Sequence, residues 1–255
     1  MIKAYAYKLL RSPLLYIGII GVAALCCTEF LEGDFGKGSV LYHIQVFLGV
    51  AKYRKSIAVF GALPFTANFA DEWTSGITRE CIVRKGIKKY AVANLMFCWF
   101  SAMLTVFLGM ALFMSFDSIF VPFAKPDNNP YPFFIFESLI YNNRGGTYLL
   151  LTTLVFSASC AMWAVMGMLL SVFFSNKYVA ICTPFVASYV IERLTMQFSA
   201  WFNLHNLAMS YIPFDYFGSD LLGFLYCVGL FAAIAAVCGV LFYDFLKRKV
   251  QNEAA

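Results

Sequence analysis

Histidine is almost missing from this chain: His43 and His205 are the only two in 255 residues, far apart and without an HExxH or CxxH neighbourhood. That scarcity argues against a zinc centre or a histidine-based triad. Charge is scarce too, at 13% Asp, Glu, Lys and Arg, against roughly 25% in soluble domains. The eight cysteines, Cys26, Cys27, Cys81, Cys98, Cys160, Cys182, Cys227 and Cys238, form no C-x-x-C pair and fall mostly in apolar runs. They read as small buried hydrophobes and give no sign of an external disulfide framework. A Walker A sequence is lacking: in Gly33 to Ser39, GDFGKGS, Gly38 separates Lys37 from Ser39 and no strand precedes it, so ATP cannot be hydrolysed by that mechanism within this chain. Carboxylates in mid-span are lacking as well. Glu192 and Arg193 sit near the end of an apolar run, where snorkelling or mutual pairing accounts for them, and Glu137 reads as a solvated loop residue. An ion-coupled carrier therefore finds no deep carboxylate to work with.

What is abundant is apolar surface. Hydrophobic residues make up 61% of the chain and mean hydropathy is +0.73, the composition of an all-α integral membrane protein. The runs predict about six transmembrane helices in a single domain, 1–255: Leu14 to Thr28, Ile57 to Ala70, Tyr90 to Phe116, Tyr148 to Phe174, Tyr178 to about Met196, and about Leu221 to Phe245. Pro13 opens the first at a position where a missing N–H costs little. Residues 1–12 carry Lys3, Lys8 and Arg11 among Ile2, Tyr5, Leu9 and Leu10, a spacing that suits a helix lying in the membrane interface and equally a continuation of span one. The second span is short and carries Pro64. It is accepted because otherwise Arg79, Arg84, Lys85, Lys88 and Lys89 would face outside.

Orientation follows from the basic residues. The N-terminus is read as retained and cytoplasmic, since Lys3, Lys8 and Arg11 lead into a span with no A-x-A-like exit. With both termini inside, 12 of the 19 Lys and Arg lie on the cytoplasmic side, in a region 72–89 between spans two and three and a tail 246–255 among other places. The net charge of +5 is this excess and implies no nucleic acid partner. Lys52, Arg54 and Lys55 are the exception, at the outer end of span two, where Arg54 and Lys55 are expected to snorkel while Asp71 and Glu72 emerge at the other end. The external loop 117–147 contains VPFAKPDNNPYPF, whose prolines forbid continuous helix.

The most informative stretch is ALPFTANFADEWTSGITRECIVRKGIKKYAVANL, Ala62 to Leu95. A span ends at Asp71 and Glu72, a short polar helix with Gly76 and Arg79 follows, and a basic patch leads into the next span. This order of parts resembles the type-2 ATP-binding-cassette (ABC) permease superfamily, in particular small bacterial six-span permease subunits with LPF-x-x-x-FA-[DE]-E-x-x-x-G-x-[IT]-R followed by R-x-x-x-[KR]-[KR]-Y. The resemblance implies that the helix between spans two and three is a coupling helix docking on an ATPase subunit. Its matching residues are Glu72, Gly76, Ile77 and Arg79, with Arg84, Lys88, Lys89 and Tyr90 leading into span three.

It further implies a separate ABC ATPase partner that holds the ATP and magnesium, no cofactor in this chain, a second permease unit, identical or related, and a non-enzymatic role in the cell membrane. Export of a peptide, an antibiotic or a lipid-like amphipathic molecule is the activity implied. An external apolar hairpin before span six is matched to Tyr211, Pro213, Phe214 and Phe217; these aromatics also suit a simple interfacial anchor. The alternatives are a membrane-embedded enzyme or assembly factor, which would need a polar catalytic cluster, and an ion-coupled carrier. Ala232, Ala236 and Gly239, small residues on one face of span six, suit close helix approach.

Overall fold

The computed structural model describes residues 2–32, 38–123, 136–210 and 217–254, and every regular element in them is helical. In chain order these are α1 (Ile2–Arg11), α2 (Pro13–Glu32), α3 (Val40–Val50), α4 (Ile57–Ala62), α5 (Asn68–Thr74), α6 (Ile77–Lys85), α7 (Ile87–Asp117), α8 (Glu137–Tyr141), α9 (Gly145–Leu170), α10 (Lys177–Thr195), α11 (Leu204–Ala208) and α12 (Asp220–Ala254). Three of them, α7, α9 and α12, are individually long and apolar enough to cross a membrane, and α1 with α2 forms a fourth candidate bent by 57°. That content associates the chain with a membrane.

The remaining two expected spans differ from the simple helix that hydropathy suggests. Pro64 splits the second into α4 and α5 with a turn between them, because proline has no N–H for the carbonyl four residues back. Helix α10 keeps its 19 residues but carries Lys177, Glu192, Arg193 and an internal Pro184. Elsewhere the helices overrun their expected limits. The tail 246–255 continues α12 through Ala254, and the loop 117–147 contains α8 and the first turn of α9. Helix α3, capped by the Ser39 side chain accepting from Tyr42 N, has no counterpart in the hydropathy reading.

Contacts between helix ends fix their directions. Lys249, near the end of α12, donates to Val172 O at 2.6 Å just beyond α9 and lies 4.4 Å over the Trp73 ring at the end of α5. We call this end, which also holds α1 and α6, the base. At the far end Gln45 of α3 donates to the Tyr148 hydroxyl at the start of α9 (3.1 Å), and Ser138 of α8 donates to Asp220 at the start of α12. Helix α9 is central: 78% of its apolar window is buried, against 39% for α7 and 28% for α12. Two buried clusters, one around Trp163, Phe47 and Phe231 and one at the base around Tyr90, Phe69 and Phe242, fill the interior.

Helices approach through glycine. A Cβ at Gly18 would lie 2.8 Å from Phe60 O, and one at Gly167 only 2.4 Å from Ala180 O. Phe60 and Ala180 each stand four residues before a proline, Pro64 and Pro184, so both carbonyls have lost their helical donor. Each freed carbonyl is thus faced by a glycine of the neighbouring helix, close enough for weak Cα–H···O contact. Gly239 instead packs against a side chain, with a Cβ there only 2.5 Å from Leu95 Cδ2 of α7, whereas Ala232 and Ala236 are exposed.

Candidate functional site

At the base, the end of the broken α4–α5 segment meets α1, α6 and α7 around one carboxylate. Helix α1 buries Tyr5 and Leu9 and exposes Lys3, Tyr7, Lys8 and Arg11, which turns Tyr5 toward α5 and α7. Glu72, only 4% exposed, accepts at Oε2 from the Tyr5 hydroxyl at 3.0 Å and from the Tyr90 hydroxyl at 2.8 Å. Lys8 Nζ stands 3.5 Å from its Oε1 and also donates to Asn68 Oδ1. Asn68 Nδ2 donates to Asn94 Oδ1 at 3.2 Å, while Asn94 Nδ2 donates to the Tyr5 oxygen at 3.2 Å and to Tyr90 O at 3.1 Å. With both phenol protons given to Glu72, Thr78 Oγ1, 3.2 Å from the Tyr90 oxygen, is the donor there. Burial, then the adjacent carboxylate, pushes the Tyr5 hydroxyl far above its ordinary pKa, so it stays a donor.

This network welds four elements into one block. Hydrogen bonds to an ionised acceptor are strong, and a fully satisfied buried network is rigid. Two glycines set how α6 leaves it: Gly76 (φ 77°) and Gly86 (φ 82°) bracket the helix in the left-handed region, with nothing within 4 Å of a Cβ at either. Their requirement is therefore one of backbone conformation alone.

The expected coupling residues divide into two groups. Gly76, Ile77, Arg79, Arg84, Lys88 and Lys89 are exposed, whereas Glu72 and Tyr90 face inward. Glu72 does not emerge from the span end as Asp71 does, because two phenols and Lys8 compensate the burial of its charge. Helix α6 also exposes apolar side chains, Ile77 at 48% and Val83 at 86%. Of the expected hairpin, Tyr211, Pro213 and Phe214 lie outside the described residues; Phe217 packs against Trp201 and Tyr226, each at 5.2 Å between ring centroids.

The far end holds a second charged group. Glu192 of α10, 5% exposed, has Lys55 Nζ at 3.2 Å, Arg54 at 3.7 Å and His205 Nδ1 at 3.3 Å from its Oε2. Arg54 also donates to Leu48 O at 2.6 Å, and Lys55 stacks 4.4 Å over Tyr189. Arg54 and Lys55 therefore turn inward rather than snorkel, and Glu192 pairs across the bundle rather than with Arg193, which is exposed beside Met196. Within the apparent breach of the positive-inside pattern at Lys52, Arg54 and Lys55, the Glu192 carboxylate offsets one of the positive charges. Nearby, His43 Nδ1 lies 2.8 Å from Asp117 Oδ2, and Asp117 is fully buried.

Tyr5, Lys8, Asn68, Thr78 and Asn94 carried no functional reading in the sequence. Their only advance signal is polarity inside or beside apolar runs, Asn94 in AVANLMF above all.

Chemically, the base offers satisfied hydrogen bonds and an exposed helix, and no group of three or more His, Cys, Asp or Glu able to hold a metal ion occurs among the described residues. Comparison with protein-family models, curated proteins and solved structures finds no match for this chain.

Proposed function

We propose that this chain is the membrane-spanning permease subunit of an ABC-type exporter, crossing the membrane six times with both termini in the cytoplasm and driven by ATPase subunits on a separate polypeptide. One observation carries the reading: α6 presents Ile77, Arg79, Val83 and Arg84 outward while Thr78 and Glu72 join it to α7 and α1 through Tyr90 and Tyr5. A partner that moved α6 would move α1 and the start of α7 with it, because buried polar networks and packed helices shift as units rather than deform. Apolar side chains exposed between cations make a docking face for a soluble subunit. The six-crossing topology draws support from the alternating run of α2, α4–α5, α7, α9, α10 and α12 between base and far end. A second permease unit, identical or related, completes the path, and the apolar composition suits a peptide, antibiotic or lipid-like cargo. The test is affinity purification from the native membrane in mild detergent, followed by identification of co-purifying chains and an ATPase assay. A Walker-motif subunit in near-equal amount is the expected result; a chain recovered intact, alone and without ATPase activity rejects the reading.

A second reading, a proton-coupled carrier, is favoured by the two carboxylate–histidine contacts at the far end, His43 with Asp117 and His205 with Glu192. Carboxylate–imidazole contacts inside a helical bundle are the kind of group from which proton pathways are built. It predicts cargo movement driven by a pH gradient in vesicles holding this chain and no nucleotide.

A further inference from the structure

A cavity of about 1010 Å³ opens at the base beside α1 and the first half of α7. Its mouth carries Lys3, Lys85, Lys88 and Lys89. Among the described residues none of the four has a carboxylate partner, and no acidic residue lines the cavity. Its wall is apolar: Val92, Met96 and Phe100 stand at successive four-residue steps along one face of α7, each about half exposed, at 51%, 47% and 56%.

Cations at one end and a strip of apolar side chains leading away from them match one class of molecule. We propose that this cavity is a binding site for an anionic phospholipid, with the headgroup phosphate among Lys3, Lys85, Lys88 and Lys89 and an acyl chain along Val92, Met96 and Phe100. The membrane interface makes the match specific, because a basic pocket beside a transmembrane helix attracts anionic headgroups, while a soluble anion has no use for the strip on α7. Lys3 belongs to α1, Lys85 to α6, and Lys88 and Lys89 to α7. One headgroup thus neutralises repulsion among three elements and holds α1 against α7. The inference requires no ATPase partner and is independent of the cargo.

The test is native mass spectrometry of the purified full chain in neutral detergent, with phosphatidylglycerol or phosphatidylcholine of matched acyl chains added at equal concentration. Retention of phosphatidylglycerol over phosphatidylcholine is expected. At about fivefold per cation near a membrane surface, K88Q/K89Q weakens that retention about 30-fold. Val92→Trp, which fills the strip and leaves every lysine in place, abolishes it, and K247Q/R248Q on α12 does not change it. Equal retention of the two lipids overturns the proposal, as does equal loss in the α12 control. Displacement of the lipid by sn-glycerol-1-phosphate at comparable concentration overturns it too, since that would mean a phosphate site without use of the apolar wall. Monodisperse elution and helical circular dichroism establish folding of each variant, and Val92→Trp keeps the proposal open to refutation should K88Q/K89Q fail to fold.

Discussion

The Tyr90 hydroxyl donates to Glu72 Oε2 across 2.8 Å, tying the end of a broken apolar segment to the start of α7. Glu72 accepts a second phenol, Tyr5, at the same oxygen. Replacing Glu72 by Ala leaves both phenols buried without their acceptor, at about 1–3 kcal/mol for each, while Lys8, 54% exposed, turns to water. Tyr90→Phe removes one hydrogen bond and costs about 1–3 kcal/mol. Thermal unfolding in detergent should rank wild type above Tyr90→Phe and Tyr90→Phe above Glu72→Ala. An unchanged midpoint for Glu72→Ala would show that the network contributes no stability.

Burial separates two residues that the sequence motif groups together. Arg79 is exposed and Glu72 is not, so reversing their charges has different effects. Arg79→Glu is expected to leave the amount of membrane-inserted protein unchanged while abolishing co-purifying ATPase activity. Glu72→Arg is expected to lower the amount of protein itself. Comparing quantitative membrane immunoblots with ATPase recovery distinguishes the two, and equal loss of protein in both variants would remove Arg79 from the docking face.

Much of the scaffold was legible in composition. The apolar runs located α2, α7, α9 and α10 to within a few residues and the start of α12 likewise, because a helix that must hide its backbone from lipid has to be nearly continuous in hydropathy; the end of α12 overran its run by nine residues, from Phe245 to Ala254. Helix α3 was not, although VLYHIQVFLGV is apolar, since at 11 residues it is too short for the length criterion that finds spans. The site was half legible. Gly76 stands in the expected coupling motif, and the basic run marks one end of the bundle; the positive φ at Gly86 was not foreseen. The inward turn of Glu72 and Glu192 was hidden because their partners are distant: Tyr5 is 67 residues from Glu72, and Lys55 is 137 residues from Glu192. Charge rules weigh each side chain against water or lipid, and a buried carboxylate is decided instead by which cations and hydroxyls the fold brings to it.

At the far end the same reasoning gives a rescue experiment. Glu192→Ala strands Arg54, 8% exposed, and Lys55 beside apolar side chains, and is expected to destabilise by about 3–5 kcal/mol. Removing Lys55 in addition relieves part of that cost, so K55A/E192A should unfold at a higher temperature than Glu192→Ala alone. Additive losses in the double variant would mean that Lys55 and Glu192 act independently.

Gly167 faces the carbonyl that Pro184 leaves without a donor, with a Cβ there only 2.4 Å from Ala180 O, 3.0 Å from Thr66 Cγ2 and 3.1 Å from Pro184 Cδ. Gly167→Ala is expected to force α9 and α10 apart at a cost of about 1–3 kcal/mol, read as a lower unfolding midpoint. Gly146, where the nearest atom to a Cβ is 3.6 Å away, should accept alanine with no such loss, and equal effects at both would refute the close-approach account.

The α4–α5 segment decides between six crossings and fewer, and its two flanks can be read directly. Tyr53 precedes α4 and is 45% exposed, and Val83 lies beyond α5 at 86%. From Ile57 to Thr74 the segment spans 18 residues, about 27 Å at helical rise, near the hydrocarbon thickness of about 30 Å. Its turn at residues 63–67 is tolerable at that depth because Phe65, Thr66 and Ala67 are buried by protein, and irregular backbone is accepted in a membrane only where protein covers it. Cysteines introduced at Tyr53 and Val83, in a background without the exposed Cys182, should therefore react with a membrane-impermeant maleimide from opposite sides. Tyr53→Cys is expected to label in intact cells and Val83→Cys after permeabilisation. Labelling of both from one side would mean that α4 and α5 dip into the bilayer and return, which would place α6 and its basic neighbours on the same face as Glu192 and leave no cytoplasmic helix to dock an ATPase.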